Sequence, residues 1–120
     1  MRNIKPYWDK KHKAVFVPVI NKLLEAKDLC EEEKNWNETI RLAEEARKEL
    51  PSKNDMLVIA YFQNEINSIL EENNGKKLEG QYWTSEEWSS IYAAQMNFND
   101  TLLTLESKCI PNKVRAIKAT

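Results

Sequence analysis

The chain has 120 residues, 42 % of them hydrophobic and 31 % charged, and a formal net charge of −1. That is enough chain for one core, and it is too apolar for a disordered segment. No apolar run approaches the roughly 18 residues of a membrane-spanning helix, and Cys30 and Cys109 alone make no disulfide framework, so a reducing cytosol is the expected compartment.

The small net charge hides a segregation. Residues 1–13 carry +4, residues 108–120 another +4, and residues 14–107 carry −9. Basic ends on an acidic body either fold back on it or reach an anionic partner. Residues 1–13 include Pro6, Tyr7, Trp8 and His12 among many charges and read as an irregular arm. The apolar run Ala14–Ile20 contains Pro18 and lacks a cleavage site, which argues against a signal peptide.

Val15-Phe-Val-Pro-Val-Ile20 has the β-branched composition of a strand. However, proline is tolerated in a first helical turn, and Ile20, Leu23, Leu24, Ala26 and Cys30 continue at helical spacing. With no second strand to pair with, a helix is expected over 17–34. Residues 36–50 form the clearest helical pattern. Trp36, Ile40, Ala43, Ala46 and Leu50 share a face, Asn35 with Glu38 fits a capping box, and Pro51 ends the run. The rest of the chain is expected to pack around this helix. A third helix is expected over 54–72, with Met56, Ile59, Phe62, Ile66, Ile69 and Leu70 inward, ended by Asn73-Asn-Gly75. Both glycines, Gly75 and Gly80, fall in the loop that runs to Tyr82. Thr84-Ser-Glu-Glu87 has the form of a capping box, and Trp88, Ile91, Ala94, Phe98, Leu102 and Leu105 keep a bundle-like seam, so a fourth helix is expected over 85–108. Residues 111–120 are left as a short basic tail. The expected fold is a single all-α domain: an arm (1–13), a helical body (14–110) and the tail, with the helices forming a small four-helix bundle.

The stretch 23–51 resembles a tetratricopeptide repeat, a helix pair with small and large apolar residues at set places and a closing proline. Ala43, Ala46, Trp36, Leu23, Ala26 and Pro51 carry the likeness, while Lys27, Cys30 and Thr39 depart from it. The resemblance implies a peptide- or protein-binding module rather than an enzyme.

His12 is the only histidine, which excludes two-histidine zinc signatures and the histidine-bearing di-iron pairs. Phosphate-cradling glycine loops, Gly-x-Ser-x-Gly and calcium-loop spacings are absent. No cofactor, metal or catalytic residue is expected. Two features suggest contact with a partner. Asn64 and Asn67, with Gln95 and Asn99, are amides placed inside expected helices, where asparagine is a mediocre former. Tyr82, Trp83, Trp88 and Tyr92 form a dense aromatic cluster. Trp88 continues the seam and is assigned to the core, leaving Tyr82 and Trp83 as the contact pair. The expected function is a non-enzymatic helical interaction module, an adaptor, accessory or inhibitor protein that binds another protein or peptide. The alternative is a nucleic-acid binder that uses the basic ends.

Overall fold

The computed structural model describes residues 4–120 and shows a mixed α/β architecture. Three strands come first: β1 (Tyr7–Asp9), β2 (Ala14–Val17) and β3 (Lys22–Glu25). Three helices follow: α1 (Trp36–Glu45), α2 (Lys53–Tyr61) and α3 (Gln63–Glu72). The chain then returns to strand as β4 (Gln81–Glu87), β5 (Tyr92–Asn97), β6 (Leu102–Ser107) and β7 (Ile117–Ala119). One antiparallel sheet has the order β1-β2-β3-β7 and the other β4-β5-β6. The all-α four-helix bundle is therefore overturned, and so is the tetratricopeptide likeness. Within 23–51, Leu23 lies in β3, Ala26 and Cys30 in irregular chain, and only α1 is helical. A purely helical interaction module falls with them. Of the expected arm, residues 1–3 lie outside the described residues, and Tyr7–Asp9 is a strand.

Local chemistry accounts for these outcomes. Val15-Phe-Val-Pro18 goes to strand because Pro18 enters a turn. Asn21 N donates to Pro18 O at 3.1 Å, Asn21 sits at φ 53°, and Val17 faces Lys22 across the hairpin. The missing partner strands came from β1 on one side and β3 on the other, with β7, at the far end of the sequence, completing the sheet. α1 begins where expected, with Asn35 Oδ1 accepting from Glu38 N at 2.9 Å, but stops at Glu45 because Arg47 turns left-handed at φ 55°. Leu50 is buried beyond that end. Ser52 and Asp55 form a reciprocal capping box on α2. α2 and α3 together span the third expected helix, with a break at Phe62.

The largest departure is 85–108, where three strands replace a helix. The Thr84 hydroxyl does not cap: it donates to Ala94 O at 2.9 Å across the sheet and accepts from Glu86 N. Asn97 and Asp100 close the β5–β6 turn by accepting from Asn99 N and Leu102 N, and Thr101 adopts φ 59°. β5 is buried along Ala93, Ala94, Gln95 and Met96, so both its faces are covered and the simple alternation of a half-exposed strand is lost.

One main core joins the two sheets. Val15, Val17, Leu24 and Ile117 from the first pack with Tyr82 and Met96 from the second, and with Met56, Ile59, Ile66 and Leu70 from α2 and α3. Trp36, Trp83 and Ala93 form a second cluster on the opposite face of the three-stranded sheet. Ala43, Leu50 and Val114 form a third. The expected short basic tail is thus core: Val114, Arg115, Ala116 and Ile117 are all fully buried. Among the described residues, no helix is long and apolar enough to cross a membrane.

Candidate functional site

The contact residues expected from sequence are scattered, and most of them hold the fold. Tyr82 and Trp83 are both fully buried. The Trp83 indole N–H donates to Lys34 O at 2.8 Å. Asn67 satisfies both backbone groups of Leu78, donating to its O at 3.0 Å and accepting from its N at 2.7 Å. The buried Gln95 donates to Thr104 Oγ1 and accepts from Asn112 Nδ2. Asn99 Oδ1 accepts from Gly80 N at 3.1 Å. Asn64 is exposed on α3. These six are not one surface.

Tyr82 instead belongs to a polar knot that sequence reasoning missed. Its hydroxyl donates to Asp28 Oδ1 at 2.9 Å, and Arg115 Nε donates to the same oxygen at 2.9 Å. Arg115 also donates to Glu25 O and Lys76 O, while Lys76 Nζ reaches Asp28 Oδ2 at 2.8 Å. Burial by itself would raise Asp28, but the Lys76 bond, the Arg115 charge and the Tyr82 hydroxyl outweigh it and hold its carboxyl below the ordinary 3.8. Burial also pushes the Tyr82 hydroxyl far above its usual range, so it remains a donor. The knot ties four chain segments together.

Of the two basic ends that the nucleic-acid alternative called on, the C-terminal one is largely engaged within the fold. Arg115 is consumed by Asp28, buried Lys108 pairs with Glu87 and stands 4.7 Å over the Trp36 ring, and Lys113 donates to Glu79 O.

One exposed apolar surface lies on the three-stranded sheet. Trp88, assigned to the core from its spacing, is 72 % exposed, the reverse of Trp83. Tyr92, Ile91 and Leu105 are exposed near it, and Leu102 is exposed at the far end of β6. Strand register sorts them by face. Leu103 pairs with Met96 and Leu105 with Ala94, so both leucines lie on the main-core face of the sheet, which Tyr92 shares. Beyond the start of α2 this face is uncovered and forms a groove of about 240 Å³ lined by Lys53, Glu86, Trp88, Ala94, Leu103 and Leu105.

The groove runs to an open edge. Lys108 N donates to Ile91 O, which with the register makes 93/106, 95/104 and 97/102 the hydrogen-bonded pairs of the β5–β6 ladder. The backbone N–H and C=O groups of Leu103, Leu105 and Ser107 therefore point away from β5. Glu106 Oε1 takes the Ser107 N–H at 2.8 Å, and Ser107 O accepts from Ile110 N. Leu103 and Leu105 keep their outward groups unpaired among the described residues. The opposite edge of this sheet is closed, since Trp83 N donates to Lys113 O, Lys113 N to Gln81 O and Ser85 N to Pro51 O. β7 is likewise covered, by Ile117 N on Glu49 O. β6 offers a flat run, Leu-Leu-Thr-Leu, with no proline, lysine or bulge to block pairing.

No family model and no curated protein matches the chain.

Proposed function

We propose that the domain binds a protein partner by strand addition: an extended segment of the partner pairs with the outer edge of β6 and lays alternate side chains into the groove beside Trp88. The observation that carries this reading is the pair of unsatisfied outward backbone groups on Leu103 and Leu105, flush with an exposed apolar face. Backbone bonds supply affinity in such pairing, and the groove supplies selectivity. A binding role rather than a catalytic one is supported by the buried polar groups, which are spent on one another in the Asp28–Arg115 knot and the Gln95–Asn112 pair. Cys30 and Cys109 are both free thiols, which supports a reducing compartment.

The test is selection of ligands from a displayed library of linear peptides, followed by mapping on the protein's amide spectrum. Selected peptides should slow exchange of the Leu103 and Leu105 amides and should lose binding to Leu105→Pro. That substitution removes an outward N–H while sparing the β5 ladder, as proline at a strand edge can. Leu105→Lys, which blocks the edge by charge instead, guards against a folding defect in the proline variant. Ligands that protect other amides and bind both variants normally would overturn the proposal.

A further inference from the structure

The two faces of β6 differ in charge, and that difference selects the partner. On the groove face, Leu103 and Leu105 lie beside Trp88; of the charges that line it, Lys53 and Glu86 are opposite in sign and Glu87 is held by Lys108. On the opposite face stand Leu102, Thr104 and Glu106, with Asp100 in the turn at the strand's start. Among the described residues, neither Glu106 nor Asp100 joins an ion pair. Lys108, two residues beyond Glu106, is buried and committed to Glu87. A strand added along β6 keeps the same two-residue alternation, so one side-chain set meets an apolar groove and the other meets two uncompensated carboxylates.

We infer that the recognised segment alternates apolar residues with lysine or arginine, the apolar set lying in the groove and the basic set against Glu106 and Asp100. This rests on the strand-addition reading above and goes beyond it by naming the segment's chemistry. A second copy of this chain fits less well. Antiparallel pairing of β6 with itself about Thr104 sets Leu103 against Leu105, but the base that this register brings opposite Asp100 is Lys108, which is buried and already held by Glu87, so the carboxylates of both copies gain no new counter-charge. Opposite charges across strands favour pairing and like charges oppose it.

Four blocked synthetic peptides test the inference by fluorescence anisotropy: valine alternating with lysine, with threonine or with glutamate, and the valine–lysine composition with its lysines grouped at one end. In low salt the alternating valine–lysine peptide should bind about tenfold tighter than the valine–threonine one. The glutamate peptide should bind weakest, the grouped peptide should do no better than valine–threonine, and added salt should narrow the gaps. Glu106→Gln keeps an oxygen for the Ser107 N–H, so it should erase much of the lysine advantage while leaving valine–threonine binding unchanged. Equal affinity for the lysine and threonine peptides, equal affinity for grouped and alternating lysines, or no effect of Glu106→Gln would overturn the charge assignment while leaving strand addition standing. If none of the four peptides binds, strand addition itself falls. A concentration-dependent dimer that Leu105→Lys abolishes would assign the edge to a second copy and overturn the inference.

Discussion

Two tryptophans five residues apart have opposite fates, and their substitution separates core from surface. Trp83 is sealed against Trp36 and Ala93 with its indole N–H bonded, so Trp83→Ala leaves a cavity and removes one of the two hydrogen bonds that the Lys34 carbonyl accepts. The expected cost is about 3–5 kcal/mol of unfolding free energy in a urea titration. Trp88→Ala should stay within about 0.5 kcal/mol of the parent, because the side chain is mostly in water. Asp28 gives a second test, this one dependent on pH. Its folded-state pKa lies below the ordinary 3.8, so its contribution to stability is complete above that value and is lost as pH falls through the folded value. Asp28→Asn strands the buried Arg115 charge and should cost about 3 kcal/mol at pH 7. The gap to the parent should shrink below pH ~4, as the parent's own carboxyl becomes protonated. A gap that is constant with pH would remove Asp28 from the charge network.

α1 carries an internal inconsistency of the kind that single substitutions relieve. Thr39 is fully buried on the helix, and its hydroxyl has no hydrogen-bond partner. Valine has the same branched shape without the polar atom, so Thr39→Val should raise stability by about 1 kcal/mol, read as an upward shift in thermal midpoint. A fall in midpoint would mean that the hydroxyl is satisfied. Among the strands, β6 differs from its neighbours in carrying exposed leucines on an uncovered edge, a feature that natural sheets usually block. The β4 edge shows the usual remedy: the segment from Asn112 to Lys113 lies along it.

For the molecule as a whole, the last nine residues bind the halves together. Val114 enters the third cluster, Arg115 the polar knot, and Ile117 the main core while pairing with Leu24 in β3. A chain ending at Pro111 therefore loses a buried cation that neutralises Asp28, along with two core side chains. It should show no cooperative urea transition, whereas a loose tail could be removed without effect. Circular dichroism of the intact chain should show a mixed spectrum, since two antiparallel sheets accompany the three helices.

Several features governed by neighbours in sequence were legible from the sequence, although the capping-box pattern at Thr84 was overridden by the sheet. The Asn35 cap, the start of α1, the helical stretch after Ser52 and the loop holding both glycines each depend on residues within a few positions of one another. The strands were not legible, because their partners lie far away: Leu23 pairs with Lys118, and Trp83 N bonds Lys113 O. Between 85 and 108, apolar residues happen to fall at helical spacing, while burial on both faces of β5 hides the two-residue period that marks a strand. The site inverted for the same reason. From composition alone Trp83 and Trp88 are equivalent, and only the pairing of β4 with β5 turns one inward and leaves the other at the surface. An open edge is also invisible in a one-dimensional pattern, since whether Leu103 and Leu105 have free backbone groups depends on whether another strand lies beside them. Short-range chemistry determined the caps and turns, and long-range pairing, which no local propensity encodes, decided the sheets, the core and the exposed edge.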